Sequence, residues 1–162
     1  MAPPCRTARP HEASIRIVTA MTPSPAGPFY FVEGDHVRRV ETRGPEAGRI
    51  TTIASGIIDP EPADSPLRSG PPTTANRIHA LGAAEDGTVF AAYPAGRRVV
   101  RVEPSGEMDV VWQSEGEWSP IGVAPRGGVL HVLEVHDDSI RRLRLWRIAP
   151  GEEARMLAVL GD

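Results

Sequence analysis

Lysine is missing from this sequence: every one of its 18 basic residues is arginine. Against 21 acidic residues they leave a net charge of −3, so there is no polyelectrolyte footprint and nucleic acid is not an expected partner. The exclusive use of arginine reads more simply as the codon bias of a GC-rich genome than as phosphate recognition. Cysteine is nearly absent too. Cys5 stands alone, so no intrachain disulfide can form and the compartment is left open. No run approaches the roughly 18 apolar residues of a membrane span. The opening MAPPCRTARPHEAS is basic but lacks the apolar stretch of a signal peptide, so export would need a leader further upstream. Asn76 is the single asparagine, and no G-x-S-x-G, phosphate-binding glycine loop or Cys/His metal spacing occurs.

What is abundant is turn chemistry, with 16 glycines and 17 prolines between short apolar runs. The clearest stretch is Trp118 to Leu160. Ile121 to Ala124 is short and small-residued, as an innermost strand would be. Residues 125–128 (PRGG) turn the chain, because glycine accepts positive φ without steric cost. Residues 129–134 (VLHVLE) suit a strand buried on both faces, and 135–139 form a polar connection. From Ile140 to Ala149 leucines and arginines alternate with a period of two. Pro150-Gly151 turns again, and Ala154 to Leu160 completes a four-stranded antiparallel unit. Strands set apart by turns at this spacing predict an all-β fold.

The unit repeats. With Gly27, Gly87 and Gly128 aligned, the runs that follow are PFYFVE, TVFAAY and VLHVLE. Each leads to an Arg/Val strand (VRRVE, RRVVRVE, IRRLRLWRIA) and then to a last strand after a turn. HALGAA and IGVA are the inner strands of the second and third copies, and residues 15–20 serve in the first. Three blades are expected, at about 15–58, 76–115 and 118–160, all within a unit spanning 14–162. A Pro-rich excursion at 59–75 separates the first two, and residues 1–13 form a disordered lead.

These copies, with their DG and GG turns, V-R-R-V strands and T-T-I-A-S-G close, resemble NHL-type blades. They are similar to the wider group of TolB-like and gluconolactonase-like six-bladed propellers, over about Ile15 to Leu160. The resemblance implies a partial β-propeller, half of a six-bladed ring. Propellers close with typically 4–8 blades. Three blades therefore imply a fragment of a longer protein, two copies associating, or an open arc; the fragment is the preferred reading.

Alternating strand direction predicts that the second-to-third turns and the inter-blade loops share one face, and binding residues favour such loops. Candidates there are Glu33, His79, Tyr93, Trp118, Glu134 and His136. Glu33 and Glu134 hold matching places, either as oxygen ligands of a divalent cation or as partners of arginines such as Arg38 or Arg142. Tyr93 at the same register interrupts any ring of acids, so the arginine pairing is preferred and no cofactor is assigned. His136 with Glu134 has the makings of an acid–base pair, although a solvated His136 and a hydrogen-bonded His79 are the simpler reading. Trp118 either lids a central channel or packs between blades. Trp112 and Trp146 read as inter-sheet core. Gluconolactonase-like enzymes hold a metal with acid, Asn and Asp side chains, and this chain does not match those turns, so no catalytic residue is carried over. The expectation is a binding or scaffold segment for an unidentified ligand or protein, not an enzyme. The alternative is a remnant of a metal-dependent lactonase or lyase.

Overall fold

A computed structural model describes residues 17–58 and 76–161, apart from the side chains of residues 139–141. The expected lead and the whole of the Pro-rich excursion at 59–75 lie outside them. The described residues contain twelve strands and no helix. Blade one comprises β1 (Val18–Pro23), β2 (Phe29–Glu33), β3 (His36–Val40) and β4 (Ile50–Ser55). Blade two comprises β5 (Ala80–Ala83), β6 (Val89–Tyr93), β7 (Arg98–Val102) and β8 (Met108–Gln113). Blade three comprises β9 (Trp118–Arg126), β10 (Val129–His136), β11 (Ser139–Ile148) and β12 (Arg155–Leu160). Each blade is a separate antiparallel meander in chain order, and no sheet borrows a strand from its neighbour. The all-β, three-blade architecture expected from the repeat is the one observed.

Both faces of the middle blade are buried, which is why its sequence reads as a continuous apolar run. Along β6, Val89, Ala91 and Tyr93 join a core with Tyr30, Val32, Val37 and Ile57 of blade one. Phe90 points the other way, into a second core with Val99, Leu130, Val132, Trp112 and Trp146 toward blade three. Side chains of a strand alternate between faces, so one VFAAY segment cements two interfaces. The inner strands pack in succession, β1 on β5 and β5 on β9. The outer strands are less covered. Leu157, Val159 and Leu160 of β12 stay exposed, as do Ile17 and Met21 at the first strand.

The three aligned glycines do occupy positive φ, at 115°, 86° and 77° for Gly27, Gly87 and Gly128. Their turns are not identical. Gly27 and Gly87 end turns closed on Ser24 and Ala84. In blade three, Gly127 and Gly128 both have positive φ and alone link Arg126 to its partner Val129. Two positive-φ residues in a two-residue loop make a type I′ hairpin, whose twist suits long strands. Strand β9 therefore runs through Pro125 and Arg126, which the sequence reading placed in the turn. Proline is tolerated because β9 is the inner edge of its sheet. The first strand likewise lies at Val18–Pro23, a few residues later than the expected 15–20.

Asp86 shapes the second corner. Its Oδ1 accepts the Thr88 amide at 2.9 Å, and this bond is the main reason its carboxyl titrates below the usual aspartate value of 3.8. A depressed folded-state value means the bond adds stability above the unfolded pKa, and that contribution fades as pH falls through the lower, folded one. In an NMR titration the Asp86 carboxyl carbon should therefore show a midpoint under 3.8, with the Thr88 amide moving in step. A midpoint at or above that value would count against the turn as described.

Candidate functional site on the loop face

Hydrogen bonds bear out the predicted grouping of loops. The Ile57 amide, just beyond β4, donates to Asp35 O in the β2–β3 turn at 3.2 Å. In blade two, the Ser114 amide donates to Arg97 O at 2.8 Å, and in blade three the Asp137 amide donates to Glu117 O at 2.7 Å. Every second-to-third turn is thus pinned to an inter-blade connection. Blades two and three are also tied to each other there. Arg97 Nη2 of blade two donates to Asp137 Oδ2 of blade three at 2.7 Å, and within blade three Ser119 Oγ donates to Asp137 Oδ1 at 2.8 Å.

Glu134 is the centre of the face. It lies directly across from Arg144 in the β10–β11 register and is wholly buried, with 0% of its surface exposed. Burying a carboxylate requires donors to replace water. Trp112 Nε1 donates to Oε1 at 2.8 Å, Trp146 Nε1 to Oε2 at 2.7 Å, and Arg144 Nε also to Oε2. Because Trp112 belongs to blade two, this carboxylate is a polar bolt between two blades. The indoles lie 5.0 Å apart, centroid to centroid. Trp112 and Trp146 thus belong to the inter-sheet core, as expected, and also serve as hydrogen-bond donors, which was not.

Trp118 opens β9. Arg144 stacks over its ring at 4.3 Å and Arg142 at 5.7 Å, while His136 meets it edge-on at 4.9 Å. All these ring partners belong to its own blade. Cation–π stacking holds Arg144 from one side while Glu134 holds it from the other. His136 Nδ1 lies 2.5 Å from Asp138 Oδ1, and its Nε2 faces Glu117 Oε2 at 3.6 Å.

The remaining candidates do not converge on this centre. Glu33 is gripped in its own blade by Arg38, through Nε at 3.1 Å and Nη2 at 2.8 Å. Tyr93 donates its hydroxyl to Asn76 Oδ1, and Arg98 stacks over its ring at 5.1 Å. His79 precedes β5, its amide bonded to Ala92 O at 2.9 Å. Glu33 and Glu134 are each engaged by an arginine of their own blade, Glu134 by Arg144 in place of the expected Arg142. The opposite face, where the β1–β2, β5–β6 and β9–β10 turns lie, bears a cleft of about 690 Å³ lined by Pro25, Phe90, Arg101, Arg126, Leu130 and Pro150.

Three meanders packed inner strand to inner strand define a partial β-propeller. Solved propeller-type proteins share this arrangement. Virginiamycin B lyase from Staphylococcus aureus superposes with a TM-score of 0.55 at 15% identity, over 94% of this chain and 44% of its own. A catalytically inactive form of that lyase with quinupristin gives 0.54 at 12%, over 86% and 40%. The PQQ-bound aldose sugar dehydrogenase from Streptomyces coelicolor gives 0.52 at 17%, over 92% and 50%. The chain thus spans half or less of the length of these proteins, and at such identities the likeness establishes the fold alone. No protein-family model and no curated protein matches the sequence.

Proposed function

We propose that this chain is an NHL-like propeller segment that binds a ligand or protein partner on its loop face, around Trp118 and His136. The observation that carries this reading is the full engagement of Glu134. A carboxylate locked by two indoles and a guanidinium is spent on joining blades, and beside it Trp118, stacked by Arg144 and Arg142, and His136 are held in fixed positions. Trp and Arg in rigid, tied positions are the residue types that dominate binding energy at interfaces. The exposed Met156, Leu157 and Val159 support a further element of the reading: additional blades or a second copy complete the ring.

The test is an amide NMR titration of the chain with pooled short peptides and oligosaccharides. Shifts should concentrate at Trp118 and His136, and Trp118→Ala should weaken the best binder about tenfold or more. Shifts confined to Phe90, Arg126 and the opposite cleft would defeat the proposal. A second reading, a remnant of a metal-dependent lactonase or lyase of the gluconolactonase-like group, draws on one specific feature. Asp138 against Nδ1 of His136 is how a general base is oriented. Lactone hydrolysis that disappears in His136→Gln would favour it.

A further inference from the structure

We infer that His136 and Glu117 form a binding site for a zinc-class divalent cation, with Asp138 as its orienting group. The site does not depend on the ligand-binding role above. Imidazole and carboxylate together suit Zn²⁺ and its neighbours Co²⁺ and Ni²⁺ rather than Ca²⁺, which prefers an all-oxygen shell. Glu117, His136 and Asp138 present ligand atoms that all lie within 4.8 Å of one another.

The geometry separates their roles. A contact of 2.5 Å between Nδ1 and Asp138 Oδ1 is stable only with a proton between the two atoms. The Asp138 amide also approaches Nδ1, at 3.4 Å, but that longer contact is secondary. With the proton on Nδ1, the lone pair is on Nε2. That atom faces Glu117 Oε2 at 3.6 Å, beyond hydrogen-bond length. Placing an ion between them at ordinary Zn–N and Zn–O lengths gives an angle of about 120° at the metal, close to tetrahedral. A carboxylate on the far nitrogen of a ligating histidine is the usual second partner in such sites.

The imidazole is also preorganised. Its side chain is only 10% exposed, fixed by the Trp118 ring on its edge, whereas Glu117 is 70% exposed and keeps the remaining positions open to water. Arg142 Nη1, 3.5 Å from Asp138 Oδ2, engages the other oxygen of that carboxylate. The ion would clamp the loop between blades two and three to the β10–β11 turn, beside the existing bond from the Asp137 amide to Glu117 O.

Zinc titrated alone into the full chain, followed calorimetrically, should show one saturable site and raise the thermal midpoint. Glu117→Gln, an exposed change that leaves the fold alone, should weaken binding about tenfold or more, as should Asp138→Asn. His136→Gln should abolish it. His36→Gln is the control, since His36 also pairs with an aspartate, Asp35, but lies outside the cluster. Absence of saturable binding tighter than roughly 1 mM would overturn the proposal. So would wild-type affinity in Glu117→Gln, or loss of binding in His36→Gln.

Discussion

Glu134→Ala should destabilise the protein by about 3–5 kcal/mol, the range found when one member of a buried ion pair is removed. The loss has three parts. Arg144, with 14% of its side chain exposed, keeps its charge but loses its carboxylate. The indole N–H groups of Trp112 and Trp146 each lose an acceptor in a place where water replaces it poorly. A void then opens at the junction of blades two and three, where Leu130, Val132 and Val99 pack. Domains are commonly stable by only about 5–15 kcal/mol, so the variant sits near the limit of folding. Urea denaturation is the measurement, and Glu134→Gln keeps it informative if the alanine variant does not fold. The amide oxygen still accepts one indole, so Gln should cost clearly less than Ala. A midpoint within error of wild type for both would show that the bolt carries no stability. The contrasting substitution is Glu152→Ala in blade three: Glu152 is 60% exposed and its partner Arg147 34%, so its loss should cost under about 1 kcal/mol.

The three-blade architecture was legible because it rests on local rules. Period-two alternation, glycines that had to take positive φ, and an apolar run too continuous for a one-sided sheet all point the same way. What blurred was the edges of strands. Pro23 and Pro125 look like turn residues in one dimension, yet each sits on the inner edge strand of its sheet and pairs across to Phe29 and Leu130. The site was legible only in part. Trp118, Glu134 and His136 were singled out and do share one neighbourhood, but the reason they share it was hidden. Trp112 reaches Glu134 across a blade boundary, 22 residues away in sequence, and strand bulges between Val99 and Val100 and between Leu133 and Glu134 help set which side chains face each other there. A period count cannot locate a bulge in advance. The alternation of Arg144 and Trp146 opposite Glu134 was a signal in the sequence, and only the observed register shows what it meant.

The small residues of the inner strands carry a sharper expectation. Gly82→Val should cost about 3 kcal/mol or more, because overpacking a close-packed site already costs about 1–3 kcal/mol and here little can yield. A Cβ at this position would overlap Pro125 Cδ and approach Val123 O to 3.0 Å, and both neighbours belong to β9 of the next blade. Proline is a rigid ring and a carbonyl oxygen is backbone, so neither can swing aside as a long side chain would. The collision is between blades, not within one. Gly82 has no positive-φ requirement, so any effect reports on space rather than on backbone strain. Gly122→Ala supplies the comparison on the facing strand. Its nearest neighbour is Leu133 Cβ, at 3.3 Å in the same blade, a far milder approach than the overlap of a Gly82 Cβ with Pro125 Cδ, so a shift of a few tenths of an ångström relieves it. Chemical denaturation of the two variants should therefore rank Gly82→Val far below Gly122→Ala, with the loss at Gly82 accompanied by weaker amide-exchange protection in β5 and β9 together. Equal, small losses would mean that the inner strands of blades two and three do not touch, and the packing of one blade on the next about a shared axis would fall with them.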